Sequence, residues 1–420
     1  MRRLLFSLLL LTACDGATPT DSGVPDDAFV PGDGGAPADT GVDIDGGVAH
    51  DSGRDAGRDG GGAECPRLPA PADRVRYVAL AHPFGDPSYE VLALAADGTL
   101  SRTGNSFVMG KANDAPIVFT PDGEVGIAAQ DDGSLGVFTL DAEGRPTVVH
   151  RQHTGDFYAA GVVMDPAGDA VWIRDAQWRE SGGGVYRAPI GCDGAIGPAE
   201  WVAPGRLPYG MEILSDGTAV IASKDLLDET VDSEGLGPDV RVVDLGAPAT
   251  LAAGEVFPES DWIVAGFTVT ANERHAILGD NASFSATGNR IGVAAIDDGV
   301  SFVQQIADVE DPVAIVASPF DDAVIVVSGF GDAIYGMRYE PDAAMPLTVT
   351  GELTYQDRGP ALPGSAVMIR RGALEGLVLI SENVAVRRVR FDGGGVITDL
   401  GPLELGSGTE NITGSIGVQP

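Results

Sequence analysis

The apolar positions of this chain fall into short runs separated by turns rich in Asp, Gly and Pro. Residues 115–144 show this most clearly: the run APIVF, the turn TPDG, the run EVGIAAQ, the turn DDG and the alternating run SLGVFTL follow one another directly. Short runs bounded by such turns predict β-strands. An apolar spacing of about 3.6 residues, which would indicate helix, never persists beyond a turn or two. We therefore expect an all-β domain.

The same order of runs and turns repeats at intervals of roughly 50 residues, a spacing typical of propeller blades. The turns between first and second runs are centred near Asp122, Ala167, Asp216, Glu273, Asp321 and Ala373. A third, alternating run follows in each repeat, and a weaker fourth run closes most repeats. Four strands in each repeat predict one four-stranded blade per repeat.

The first repeat is incomplete, and its missing strand lies at the other end of the chain. Val75–Ala81, Tyr89–Ala95 and Ser106–Met109 supply second, third and fourth strands with no first strand before them. Ser415–Pro420 resembles Gly161–Pro166, which is a first strand in a later repeat. Pairing of the two ends leaves no open sheet edge at the join. We predict a seven-bladed β-propeller over residues 66–420, closed by the C-terminal strand.

One motif links several repeats to a known family. A proline, an apolar run and a Ser/Thr-Pro-Asp-Gly turn form Pro116–Gly123, and the motif recurs with changes in Pro208–Gly217 and Pro312–Asp321. It resembles the seven-bladed YVTN or lactonase-like propellers, the superfamily that includes bacterial 6-phosphogluconolactonases. The resemblance implies the fold over nearly all of residues 66–420. No catalytic motif of the family aligns residue for residue, so no catalytic residue is assigned.

Residues 1–13 have the features of a lipoprotein signal peptide. Two arginines precede an apolar run that is too short to span a bilayer as a helix. The run ends in Leu11-Thr12-Ala13-Cys14, which resembles the bacterial lipobox. By that resemblance Cys14 becomes the lipidated N-terminus and anchors the protein to a bacterial membrane, on its periplasmic or cell-surface side. An ordinary signal peptide with an incidental cysteine is the alternative.

Residues 14–65 are rich in Asp, Gly and Pro and contain almost no large apolar residue. Between residues 15 and 63 there are eleven Asp against Arg54 and Arg58, a net charge of 2 − 11 = −9. Such a segment cannot bury enough apolar surface to offset the entropy lost on ordering. We predict a disordered tether between the anchor and the propeller.

Composition excludes several classes of function. A net charge of −36 argues against nucleic-acid binding, which needs clustered Lys and Arg. The nucleophile elbow, the phosphate-binding glycine loop and the zinc-protease motif are all absent from the sequence. Once Cys14 is lipidated, Cys65 and Cys192 are the remaining thiols, and in an oxidising compartment we expect them to pair.

In a propeller, the loops from second to third strands and from fourth to first strands share one face. On that face we expect Trp178, Lys224, Arg206 and Arg358 to contact a ligand, and Asp175, Asp225, Asp280, Asn281 and Glu382 to hold a cation. Calcium is the expected ion, because it accepts oxygen ligands in flexible geometry. Alternatively, these Asp and Asn residues simply end strands and form turns.

Histidine chemistry is a weaker possibility. His82 and His153 are candidate general bases on the same face. His150 and His153 are the closest pair of histidines, but a spacing of three along a strand predicts side chains on opposite faces, so a shared metal is not expected.

Two functions are consistent with these features. The first is a tethered binding or interaction module whose propeller mouth recognises a protein, a glycan or a small molecule. The second is a lactonase-like hydrolase that acts on a small sugar-derived lactone or ester at the same mouth. An enzyme needs a base and an electrophile-stabilising group close together, whereas a binding module needs only a shaped face.

Overall fold

The computed structural model describes residues 67–71, 73–113, 115–175, 183–203, 208–223, 239–245, 255–256, 264–280, 289–297, 299–329, 333–354 and 364–420. The predicted signal peptide and tether lie outside these ranges. The described part of the chain contains no helix of sufficient length and apolar character to span a membrane.

The strands form seven sheets, each with four antiparallel strands, which we number as blades 1 to 7. Blade 1 contains β28 (Ile416–Val418), β1 (Arg76–Ala81), β2 (Tyr89–Leu94) and β3 (Leu100–Phe107). Blade 2 contains β4 (Val118–Phe119), β5 (Val125–Ala129), β6 (Leu135–Leu140) and β7 (Pro146–His153). Blade 3 contains β8 (Ala159–Met164), β9 (Ala170–Asp175), β10 (Gly184–Pro189) and β11 (Glu200–Ala203).

The remaining blades follow the same order. Blade 4 contains β12 (Pro208–Ile213), β13 (Thr218–Ser223), β14 (Asp239–Asp244) and β15 (Glu255–Val256). Blade 5 contains β16 (Val264–Val269), β17 (His275–Asp280), β18 (Arg290–Ala295) and β19 (Ser301–Ile306). Blade 6 contains β20 (Pro312–Ala317), β21 (Ala323–Ser328), β22 (Ala333–Tyr339) and β23 (Leu347–Thr354). Blade 7 contains β24 (Ala366–Met368), β25 (Leu377–Glu382), β26 (Ala385–Gly393) and β27 (Val396–Glu404), followed by a 3-10 turn at Thr409–Asn411.

The seven blades form a closed ring. The first strands β28, β4, β8, β12, β16, β20 and β24 each contact the next, and β24 contacts β28, so together they surround a central channel. We call the side with the turns between first and second strands, such as 121–123, the lower face. The opposite side, with the loops between second and third strands, such as 130–134, is the upper face.

The C-terminal strand closes blade 1, as the sequence predicts. β28 pairs antiparallel with β1, with Leu80 opposite Ile416 and Val78 opposite Val418. The Gln419 side chain accepts a hydrogen bond from the backbone N–H of Tyr77 at 3.0 Å and donates one to the carbonyl of Gly123 in blade 2 at 2.5 Å. The last residues of the chain therefore join blade 7 to blade 2 through blade 1.

The core lies between the blades. In β9, Val171 and Ile173 pack with β5 of blade 2, whereas Trp172 packs with Met211 and Ile221 of blade 4. This follows from the alternation of side chains along a strand, since successive residues point to opposite faces of a sheet. Each fully buried aliphatic side chain contributes about 1.5–3 kcal/mol to folding. Each blade of the ring therefore needs both neighbouring blades to bury its apolar side chains.

The prediction is accurate for the second strand of blade 2 and poor for the fourth strand of blade 1. The predicted run Val125–Ala129 coincides with β5, but the predicted fourth strand Ser106–Met109 overlaps only the end of β3 at Leu100–Phe107. The outermost strand of blade 1 is partly solvent-exposed and carries SRTGNS, and Gly104 there has φ +81. Because its residues are polar and its register shifts, the apolar pattern fails to show it.

Closure should depend on a glycine in β28. A Cβ on Gly417 would overlap the carbonyl of Ile117 in blade 2, so Gly417→Ala should lower the free energy of unfolding by about 1–3 kcal/mol. Gly351→Ala is the control, because a Cβ there meets no atom within 4 Å. Chemical denaturation measures both variants. Equal stabilities for the two would contradict this role for β28.

Candidate functional site

In five blades the second strand ends at the upper face with a polar residue, and these residues occupy the same position in each blade. The last residues of β9, β13, β17, β21 and β25 are Asp175, Ser223, Asp280, Ser328 and Glu382. All five are buried, with exposures of 4 % or less. The sequence placed the three carboxylates at corresponding positions, but the structure turns them into the protein.

Two of these carboxylates have arginine partners on the next strand of their own blade. Arg290 of β18 donates to Asp280 Oδ2 from Nη2 at 2.7 Å and from Nε at 2.8 Å. Arg387 of β26 holds both oxygens of Glu382 at 2.9 Å and also contacts Asp399 at 2.7 Å. In the structure Asp280 and Glu382 are thus neutralised by arginines, and calcium binding by this set of residues stays a prediction.

Asp175 is used differently, as its Oδ1 accepts the backbone N–H of Tyr158 at 3.0 Å. It thereby fixes the connection that enters blade 3. Within the described residues there is no group of three or more His, Cys, Asp or Glu side chains that could hold a metal ion. Asp175, Asp280 and Glu382 each have a partner inside the protein.

Other predicted site residues lie outside the described ranges: Trp178, Lys224, Arg206, Arg358, Asp225, Asn281, Cys14 and Cys65. Cys192 is described, lies in the lower-face turn of blade 3 and is disulfide-bonded. Arg67, two residues after Cys65, donates to the carbonyl of the adjacent Gly191 at 2.7 Å. Pairing of Cys65 with Cys192 stays a prediction, which thiol titration of the oxidised protein would test.

The histidines differ from their predicted roles. His82 is 5 % exposed, its Nε2 lies 3.1 Å from Glu90 and its Nδ1 lies 3.2 Å from the carbonyl of Ile412. Since both ring nitrogens have partners, His82 fixes blade 1 to the C-terminal segment. The prediction that His150 and His153 face opposite sides is wrong: their ring centroids lie 5.9 Å apart. Register shifts where β7 pairs with β6 break the two-residue alternation.

Arg174, near the upper end of the second strand of blade 3, is an unusual buried cation. It is 7 % exposed, and its Nε is buried without a hydrogen-bond partner. Its guanidinium passes over Gly161 of the inner strand β8, where a Cβ would overlap it, and lies 5.9 Å from the Tyr209 ring centre in blade 4. Among the described residues no carboxylate forms an ion pair with it. Burial lowers the pKa of Arg174 to about 10, so it remains charged at neutral pH.

Glu212 lies lower in the channel, on the inner strand β12 of blade 4. Its side chain is 29 % exposed, and its Oε1 lies 3.8 Å from Arg370 of blade 7. Because blades 4 and 7 are not neighbours, this contact crosses the channel. Thr268 of blade 5 donates to Glu212 at 3.2 Å. Burial raises the pKa of Glu212 above its ordinary range despite the opposing effect of Arg370.

The sequence analysis did not identify Arg174 and Glu212 as site residues, although the sequence contains a signal for them. Arg174 and Glu212 are charged residues inside otherwise apolar strands, VWIRD and GMEI. A charge in such a run is costly unless it has a partner or a function. Only the structure shows which of the two side chains has a partner.

Blades 3 and 4 therefore carry one buried cation, Arg174, and one carboxyl whose pKa is raised, Glu212. A guanidinium over an aromatic ring can bind a carboxylate or phosphate oxygen. A carboxyl whose pKa is raised by burial can act as a general acid or base.

Neither known protein families nor curated proteins match the sequence. Solved structures share its fold at 14 % identity. A candidate 6-phosphogluconolactonase from Bacteroides fragilis has a TM-score of 0.60 and covers 83 % of this chain and 99 % of its own. A second candidate 6-phosphogluconolactonase, from Bacteroides uniformis, has a TM-score of 0.61, and the periplasmic gluconolactonase of Pseudomonas aeruginosa has a TM-score of 0.59. Each match covers 82 % of this chain and 99 % of the other protein. The chain thus shares the seven-bladed propeller fold of these proteins, and at this identity the likeness concerns the fold alone.

The arginine pairing on the upper face has a measurable consequence. Asp280→Asn should reduce stability by about 3 kcal/mol, because it leaves the buried Arg290 charge without its counterion. Asp342→Asn is the control: Asp342 pairs with Arg274 but is 90 % exposed, so the loss should stay below about 1 kcal/mol. Thermal unfolding with calcium and with chelator should give the same difference. A loss of stability on Asp280→Asn that appears only in the presence of calcium would instead support the predicted cation site.

Proposed function

We propose that the propeller is a binding module that takes a small anionic molecule in the upper part of its central channel. The observation that carries this proposal is the buried guanidinium of Arg174 over Gly161, which forms no ion pair with any described residue. An unpaired buried cation costs several kcal/mol, whereas two other buried arginines near the upper face, Arg290 and Arg387, have carboxylate partners. A bound anion would supply the missing partner.

The surroundings of Arg174 support a small ligand with one acidic group. The guanidinium presents a planar set of donors that matches a carboxylate or a phosphate. Tyr209 adds an aromatic surface beside it. A sugar acid or a related hydroxy acid has one such acidic group.

Substitution of Arg174 should have opposite effects on the stability of the protein and on ligand binding. Arg174→Met should raise the free energy of unfolding by about 1 kcal/mol or more, since it removes an uncompensated buried charge. The same variant should lose the stabilisation by the probe gluconate that the native protein shows, about 2.7 kcal/mol at a hundredfold excess over Kd. Thermal unfolding with and without gluconate measures both quantities.

Arg187→Met is the matched control. Arg187 lies in the same blade, 5.6 Å from the ring centre of Trp172, but pairs with Asp169 at 3.1 Å and is half-exposed. This variant should keep the response to gluconate and gain no stability. A destabilised Arg174→Met protein with an unchanged ligand response would refute the proposal.

A second candidate function is hydrolysis of a lactone, favoured by the raised pKa of Glu212 opposite Arg370. Here Glu212 would accept a proton from water as the water oxygen bonds to the carbonyl carbon. The ring C–O bond would then break, and the proton would pass to the leaving oxygen to give a hydroxy acid. A pH-stat assay with gluconolactone decides: hydrolysis above background that Glu212→Gln abolishes supports an enzyme, and its absence leaves the binding module.

We also infer that Cys14 carries a lipid anchor and that residues 14–65 tether the propeller outside the cytoplasm. The support is the charged and apolar pattern of residues 1–13 with the lipobox-like end, and the acidic composition of residues 15–63. Cys14→Ser should move the protein from the membrane fraction to the soluble fraction of expressing cells. Retention of this variant in the membrane fraction would contradict the anchor.

A further inference from the structure

Two histidines of the outer strand of blade 2 lie together on one face of that blade. The ring centroids of His150 and His153 in β7 are 5.9 Å apart. Val137 of β6 lies opposite His150. Leu135 lies opposite His153, so two steps along β6 correspond to three steps along β7. Because residues opposite each other on paired strands share one face of a sheet, both imidazoles lie on the face of blade 2 that packs with blade 3.

Neither imidazole of this pair forms a hydrogen bond with any residue that the structure describes. His150 Nε2 is buried and has no hydrogen-bond partner, and the ring of His153 makes no hydrogen bond either. The other two described histidines are engaged, since His82 lies 3.1 Å from a carboxylate and His275 lies 2.7 Å from a tyrosine hydroxyl. A buried nitrogen without a partner is destabilising, and a ligand that bonds to it would remove that cost.

The separation of the two rings is close to that of two imidazoles on one metal ion. Imidazole binds zinc at about 2.0–2.1 Å, and in tetrahedral geometry this places two ring centres roughly 5 Å apart. Small rotations of the two partly buried side chains would bring the observed 5.9 Å to that value. Imidazole nitrogen suits zinc, copper and nickel, whereas calcium and magnesium prefer oxygen. The net charge of −36 also attracts cations to this protein.

We propose that His150 and His153 bind one divalent transition-metal ion of the zinc or copper type. The alternation of a regular strand would separate the two rings, and the register shift in β7 removes that separation. Within the described ranges no third His, Cys, Asp or Glu joins the pair. Water, or a donor from another molecule, would complete the coordination. The site is distinct from that of Arg174, which lies beside Tyr209 of blade 4.

The test is titration calorimetry of the full-length protein with zinc chloride in an excess of magnesium. Magnesium prefers oxygen ligands and occupies weak carboxylate sites, so the heat of zinc binding reports nitrogen sites. The native protein should bind zinc saturably, and His150→Gln and His153→Gln should each weaken binding about tenfold or more. His50→Gln is the matched control, because it makes the same substitution in the acidic segment 15–63. It should leave Kd within about twofold.

Copper supplies a second measurement of the same site. Electron paramagnetic resonance of the protein with an equimolar amount of Cu²⁺ should show coupling to two nitrogen ligands, and each variant of the pair should lose one of them. Thermal unfolding without metal checks that the variants fold, and if His150→Gln does not, His153→Gln alone serves in both experiments. No saturable zinc binding, or equal zinc affinities for the native protein and His153→Gln, would overturn the proposal. A loss in His50→Gln as large as that in the pair variants would also overturn it.

Discussion

Closure of the ring by the last strand is the constraint on which the rest of this structure depends. The apolar cores lie between blades, so a blade with only one neighbour leaves half of its buried surface in water. β28 removes that problem by pairing with β1, while Gln419 extends the same contact into blade 2. The channel, and every side chain that lines it, keeps its position only while this join holds.

The sequence predicts the ring well because turn chemistry is local. In the 120–123 turn, the Asp122 carboxylate accepts from the Thr120 hydroxyl and the Glu124 N–H, and Gly123 adopts φ +76. These requirements appear directly as a Thr-Pro-Asp-Gly motif, which marks the strands on either side. The exposed outer strand β3 carries no comparable apolar signal, and its predicted position was accordingly poor.

The candidate site is harder to predict, because the partner of a charge depends on strand register. Asp280 lies directly opposite Arg290, which is ten residues later in the chain, and this spacing alone does not predict the pair. Arg174 and Glu212 interrupt apolar runs, yet only the structure shows that Glu212 reaches Arg370 across the channel while Arg174 reaches a glycine and a ring. Of the carboxylates that the sequence favours, Asp280 and Glu382 pair with arginines and Asp175 accepts a backbone N–H.

The most direct measurement of the central claim is a crystal structure of the propeller soaked in bromide, with anomalous scattering used to locate the ions. The proposed anion site predicts a bromide in contact with the Arg174 guanidinium beside Tyr209, and no carboxylate of the chain within about 4 Å, the usual limit for an ion pair. A carboxylate of this chain paired with Arg174, with no bromide in the channel, would show that the cation is neutralised internally and would contradict the account.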